Sequence, residues 1–122
     1  MTKAKTFKEL IVWQKAVELA KTVYRETETL PAKESFGLQG QMRRAAVAIA
    51  SNIAEGAKRR TSKDFLNFLH IADGSAAELE TQILIAEGAY PHTNFASMKG
   101  LLDEVQKMLG AMMRNIDPNL RV

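Results

Sequence analysis

The sequence predicts an all-α protein, an up-down-up-down antiparallel four-helix bundle. Three observations carry that expectation: four segments repeat apolar residues at alternating steps of three and four, turn-forming residues separate them, and no useful stretch alternates apolar with polar residues as a strand would. The 122 residues suit a single domain, 1–122, able to hide about two thirds of its unfolded surface. Hydrophobic residues at 46% and charged residues at 25% are ordinary globular proportions, which excludes a disordered or low-complexity chain.

The first helix is expected over about 7–28. Thr6 can cap it, and Leu10, Trp13, Val17, Ala20 and Tyr24 form one stripe for burial, leaving Ile11, Val12 and Leu19 to the side. Leu30-Pro31 ends it, because a residue before proline is pushed out of the α region and Pro31 has no amide hydrogen. The second helix, 36–56, repeats Leu38, Met42, Ala45, Ile49 and Ile53. Its extra alanines (Ala46, Ala48, Ala50, Ala54) let a neighbouring backbone come close, so it should be central, with Gly56 as its stop.

The third helix, 62–89, can be capped by Thr61 or Ser62, with Asp64 completing a weak capping box. Phe65, Leu69, Ala72, Ala76, Leu79, Ile83, Ala86 and Tyr90 make a sustained heptad seam, with Leu66 and Leu84 outside it. Gly74 interrupts this helix at about 1 kcal/mol relative to alanine, which predicts close packing at that point. Gly88, Pro91, Thr93 and Asn94 mark the next turn. The fourth helix, 94–116, then repeats Met98, Leu102, Val105, Leu109, Met112 and Ile116 and ends before Asp117-Pro118.

The residue inventory argues against catalysis, cofactors and metals. There is no cysteine, which removes thiolate chemistry and cysteine-ligated metals and fits a reducing cytoplasm. The histidines are His70 and His92, and neither follows a glutamate by three residues as a di-iron bundle requires. His70 with Asp73 is a lone pair of donors, more often solvated than ligating. No phosphate loop, dinucleotide fingerprint or nucleophile elbow occurs, and the basic start runs into a segment too polar for a signal or membrane span.

Charge is the positive signal. Residues 39–63 hold Arg43, Arg44, Lys58, Arg59, Arg60 and Lys63 against Glu55 alone, whereas 64–90 hold Asp64, Asp73, Glu78, Glu80 and Glu87 with no lysine or arginine. The six cations are candidate nucleic-acid contacts. The competing explanations are that Lys58 to Lys63 simply meet the negative end of a helix dipole, and that Arg43 and Arg44 pair with Glu78, Glu80 and Glu87. Trp13, Tyr24 and Phe65 lie on core stripes, so contact should be to phosphates rather than bases. Arg44, Ala48, Asn52 and Glu55 share one side of the second helix, where Arg44, Asn52 and Glu55 could form a buried polar network, or Glu55 could pair locally with Arg59.

Four blocks, residues 7–16, 41–49, 51–56 and 72–80, resemble the hallmark segments of the four-helix-bundle proteins encoded in intervening sequences of bacterial 23S rRNA genes. The similarity runs from about 7 to 115, and Arg43, Arg44, Asn52, Glu55 and Gly56 match by position. Ala48 replaces a usual small polar residue and Ala50 a usual proline, changes that keep the helix intact. Relatives include the accessory protein of diversity-generating retroelements, which associates with reverse transcriptase and nucleic acid. The resemblance therefore implies a homopentameric ring, RNA or DNA as ligand, and a protein partner such as a reverse transcriptase. The function expected is a non-enzymatic oligomeric bundle binding structured RNA or DNA through a basic surface. The alternative is a protein-interaction scaffold in which the cationic and anionic stretches pair between subunits.

Overall fold

The structure, a computed structural model, describes residues 6–119. Its regular elements are α1 (Ile11–Glu26), α2 (Leu38–Ala57), α3 (Ser62–Ala89) and α4 (Ala96–Ile116), with single 3-10 turns at Phe7–Glu9, Thr27–Thr29 and Ala32–Glu34. No strand occurs among the described residues. Each helix packs on its two neighbours in chain order, α1 also closing onto α4, which is the four-helix bundle the periodicity predicts.

The helix ends show why the boundaries fall where they do. Thr6 does cap, but it caps a separate turn: Lys8 N–H donates to Thr6 Oγ1 at 3.0 Å, and Leu10 is extended, so α1 starts at Ile11. The kink brings the Phe7 and Trp13 rings edge to face, 5.1 Å apart. Leu30 is extended before Pro31, as sterics require. Thr61 caps α3 by accepting from Asp64 N–H at 3.1 Å. For α4, Asn94 accepts from Ala96 N–H, and Glu26 of α1 reaches across to accept from Met98 N–H at 3.3 Å, so part of the cap comes from another helix.

Burial follows the expected stripes on α2 and α3 but not on α1. Val12, Ala16, Leu19 and Val23 face the core, whereas Leu10, Trp13, Val17 and Ala20 are half-buried and Tyr24 is exposed. Helix α1 carries two apolar stripes with the same 4, 3, 4 spacing, rotated by one residue, and spacing alone cannot rank them. Of the residues set aside, Val12 and Leu19 are therefore core, Leu66 packs partly onto it, and Ile11 and Leu84 are exposed. On α4 the seam drifts from Leu109 to Met113, not Met112, as a 3.6-residue turn departs from a 3.5-residue repeat.

The glycines exchange roles. A Cβ at Gly74 would meet nothing within 4 Å, so no close packing explains it. At Gly56 a Cβ would lie 2.6 Å from Phe68 Cβ and 3.0 Å from Phe65 Cδ1. Gly56 is buried and does not stop α2, which runs on to Ala57; it lets the last turn of α2 lie directly on the first turns of α3.

At the opposite end of the bundle, Glu34 joins three elements. One carboxylate oxygen accepts from Leu38 N–H at the start of α2, and the other accepts from the Tyr90 hydroxyl at the end of α3. These bonds, the Tyr90 hydroxyl foremost, hold the Glu34 carboxyl below its ordinary value, and the same bond to Glu34 raises the Tyr90 phenol. Because the Glu34 pKa is lower when folded, its contribution is complete above its unfolded value of 4.5 and is lost as pH falls through the depressed folded value. Tyr90, raised when folded, contributes fully below 10.0 and loses that contribution as pH rises through the folded value. Urea midpoints against pH should accordingly decline at both extremes. Tyr90→Phe should remove the alkaline loss attributable to this bond and shrink the acid one.

Candidate nucleic-acid interface

The turn from α2 to α3 is short because α2 unwinds in two steps: Lys58 N–H reaches back to the carbonyls of Glu55 and Gly56, and Arg59 N–H bonds Gly56 O at 3.0 Å. This leaves Lys58, Arg59 and Arg60 exposed on the turn and Lys63 exposed in the first turn of α3. Arg59 is already engaged: its guanidinium lies 2.9 Å from Glu55 and stacks 4.7 Å from the Phe68 ring centroid. Among the described residues, Lys58, Arg60 and Lys63 have no hydrogen-bonding or ion-pair partner on their side chains. The antiparallel order places this turn at the same end as Lys8 and Arg114, but Glu9, Asp64 and Asp117 share that end. Positive charge is thus concentrated on the α2–α3 side rather than spread over the tip.

The other two candidate cations stand apart. Arg43 and Arg44 lie fourteen or more residues before Lys58 on the same helix, roughly 20 Å away at the rise of an α-helix. Arg43 is consumed in joining α2 to the end of α1: it donates to Thr27 Oγ1 (3.1 Å), Tyr24 O (2.9 Å) and Glu28 Oε1 (3.0 Å) and lies 4.6 Å from the Tyr24 ring centroid. Arg44 is exposed with no partner among the described residues. Neither pairs with the acids of α3, which look elsewhere: Glu80 accepts from Gln106, Glu87 pairs with Lys99 at 3.1 Å, and Glu78 accepts from Gln82. Arg43→Met should cost about 1–2 kcal/mol in urea unfolding, the worth of charge-assisted bonds at a partly exposed site. It should leave polyanion binding unchanged.

The Arg44–Asn52–Glu55 network does not form. Asn52 Nδ2 turns back to Ala48 O at 2.8 Å, Glu55 takes Arg59, and Arg44 touches neither. The local Glu55–Arg59 pair wins because four residues of helix already bring the two side chains together. His70 is exposed, and among the described residues no group of three or more histidine, cysteine or carboxylate side chains could hold a metal.

An apolar groove between α1 and α2 went unrecognised in the sequence. Trp13, Val17, Ala20 and Tyr24 form one wall, Val47 and Ala50 the other, around a volume of about 510 Å³. Its signal in the sequence is the Trp13–Val17–Ala20–Tyr24 stripe of α1, whose spacing equally suits a core face.

No helix among the described residues is long and apolar enough to cross a membrane. A search of curated proteins finds no match. Among solved structures, the chain is similar to a protein of unknown function from the S23 ribosomal protein family of Bacteroides thetaiotaomicron, with 24% identity and a TM-score of 0.75 over 85% of this chain and 99% of that one. At that identity the likeness shows the shared fold. The family model of the 23S rRNA-intervening sequence proteins matches residues 8–111, and the chain belongs to that family.

Proposed function

We propose that the chain is a non-enzymatic, self-assembling helical bundle of the cytoplasm that binds structured RNA or DNA through the cations of the α2–α3 turn. The observation that carries this is the exposure of Lys58, Arg60 and Lys63, close together in the chain and without a side-chain partner among the described residues. Phosphate is the matching ligand: the cations flank the N-terminus of α3, whose dipole also favours an anion, and Phe68 beside them is covered by Arg59 and offers no face for a base. The family name couples these proteins to an intervening sequence of 23S rRNA, which makes structured RNA the first ligand to test.

A few cations on one subunit bind weakly. A ring, five-fold by the family resemblance, would repeat the turn around an axis, so each contact raises the effective concentration of the next. Neutralising about five phosphates gives a log–log salt slope of about −4.5 on duplex DNA, with little sequence preference. Fluorescence anisotropy on a structured RNA and a DNA duplex should show that dependence, and Arg59→Glu with Arg60→Glu should abolish it. A wild-type slope near zero, or unaltered binding by the double variant, would overturn the proposal.

A second function is favoured by the exposed apolar residues Ile11 and Leu84, outside that turn: a protein-interaction scaffold that touches no nucleic acid, pairs its cation- and anion-rich stretches between subunits and takes a protein such as a reverse transcriptase. Assembly without any polyanion binding at low salt would decide for it.

A further inference from the structure

Two heptad seams remain outside the bundle core. On α1, Trp13, Val17, Ala20 and Tyr24 line the groove shared with α2 over about 16 Å of helix. On α3, Ile71, Ser75, Glu78, Gln82 and Ile85 recur at steps of 4, 3, 4 and 3 over about 21 Å. This second seam is a ridge: Ile71 and Ile85 are 52% and 55% exposed. Between them Gln82 is buried in its own bundle, 6% exposed, and donates to Glu78 on the same face. The row therefore presents two exposed β-branched side chains, Ile71 and Ile85, on one face of α3 with polar residues between them.

The two surfaces are complementary in shape and in charge. The groove is lined in part by small residues, Ala20, Ala50 and Ala54, which leaves room for the isoleucines of another helix. Its surroundings carry Lys21 at the edge and Arg44 one turn before Val47, both without a partner among the described residues. The ridge bears Glu78, and α3 has no lysine or arginine from Asp64 to its end. One chain therefore holds both halves of a joint on different faces, so it cannot close the joint on itself.

We infer that the α1–α2 groove of one copy seats the Ile71–Ile85 ridge of α3 from a second copy, head to tail. This rests on the self-assembly in the function proposed above and adds which faces meet. Such an interface is heterologous, so each copy uses its groove on one neighbour and its ridge on the other, and repetition produces a ring where the rotation between copies closes.

The test uses two full-length variants. Val47→Glu places a charge at the groove edge, and Ile71→Glu with Ile85→Glu does so on the ridge; all three positions are exposed in the single chain, so each variant should retain wild-type helicity and melting. By sedimentation velocity the wild type should be a multimer and each variant a monomer. Mixed one to one, the intact ridge of the first and the intact groove of the second should pair, giving a heterodimer that grows no further. A ridge variant that assembles like wild type, or a mixture that stays monomeric, would overturn this interface while leaving assembly and polyanion binding standing. A monomeric wild type would remove both.

Discussion

Phe95→Ala is expected to lower the unfolding free energy by about 3–5 kcal/mol, the range for deleting a fully buried phenylalanine. Phe95 is 1% exposed and stands at the residue that caps α4, so its ring both fills the core and fixes where the fourth helix begins. Truncation leaves a cavity and loosens the connection from Tyr90, which is otherwise held by the Thr93 bonds to Tyr90 O and the Asn94 bond to Ala96 N–H. Against a typical total of about 5–15 kcal/mol the loss is a large fraction, visible as a lower urea midpoint with an unchanged slope. Phe36→Ala is the control: Phe36 is 95% exposed, and its removal should change stability by no more than about 0.5 kcal/mol. Equal midpoints for the two variants would contradict the packing described.

How far the sequence disclosed this depends on the kind of information each feature needs. Helix α3 was legible end to end, 62–89, because its cap, seam and stop are all local. The starts of α1 and α4 were misplaced by two to four residues for different reasons. Leu10 breaks the first helix in favour of the Phe7–Trp13 contact, and part of the α4 cap comes from Glu26, far away in sequence. The choice between two equal stripes on α1 was undecidable locally, since only the position of α2 determines which faces inward. Among the candidate site residues, grouping Lys58, Arg59, Arg60 and Lys63 followed from chain proximity. What separated Arg43 from them was three acceptors at the end of α1, which no spacing within α2 could announce. The expected Arg44–Asn52–Glu55 network failed because helical spacing offers several partners: Ala48 O took Asn52 and Arg59 took Glu55, which left Arg44 exposed.

The glycines give the sharpest reversal, and the second large effect. Gly56→Leu should destabilise by about 3 kcal/mol, and Gly56→Ala by about 1–3 kcal/mol, although alanine is the better helix former by about 1 kcal/mol. The atom a new Cβ would strike is Phe68 Cβ at 2.6 Å, next to the backbone of α3 and unable to swing aside, so the two helices must separate. Gly74→Ala meets open space and should stabilise by about 0.5–1 kcal/mol, from propensity alone. Opposite signs for one chemical change on two helices are the measurement, read from urea unfolding of the three single variants. The consequence for function is specific, because the Gly56 contact sets the spacing of the turn that carries Lys58, Arg60 and Lys63. Forcing α2 from α3 should lower polyanion affinity in Gly56→Ala even where the protein remains folded, whereas Gly74→Ala should bind as wild type. A Gly56→Ala variant as stable as wild type would show that the close approach of α2 to α3 does not exist, and with it the positioning of the turn.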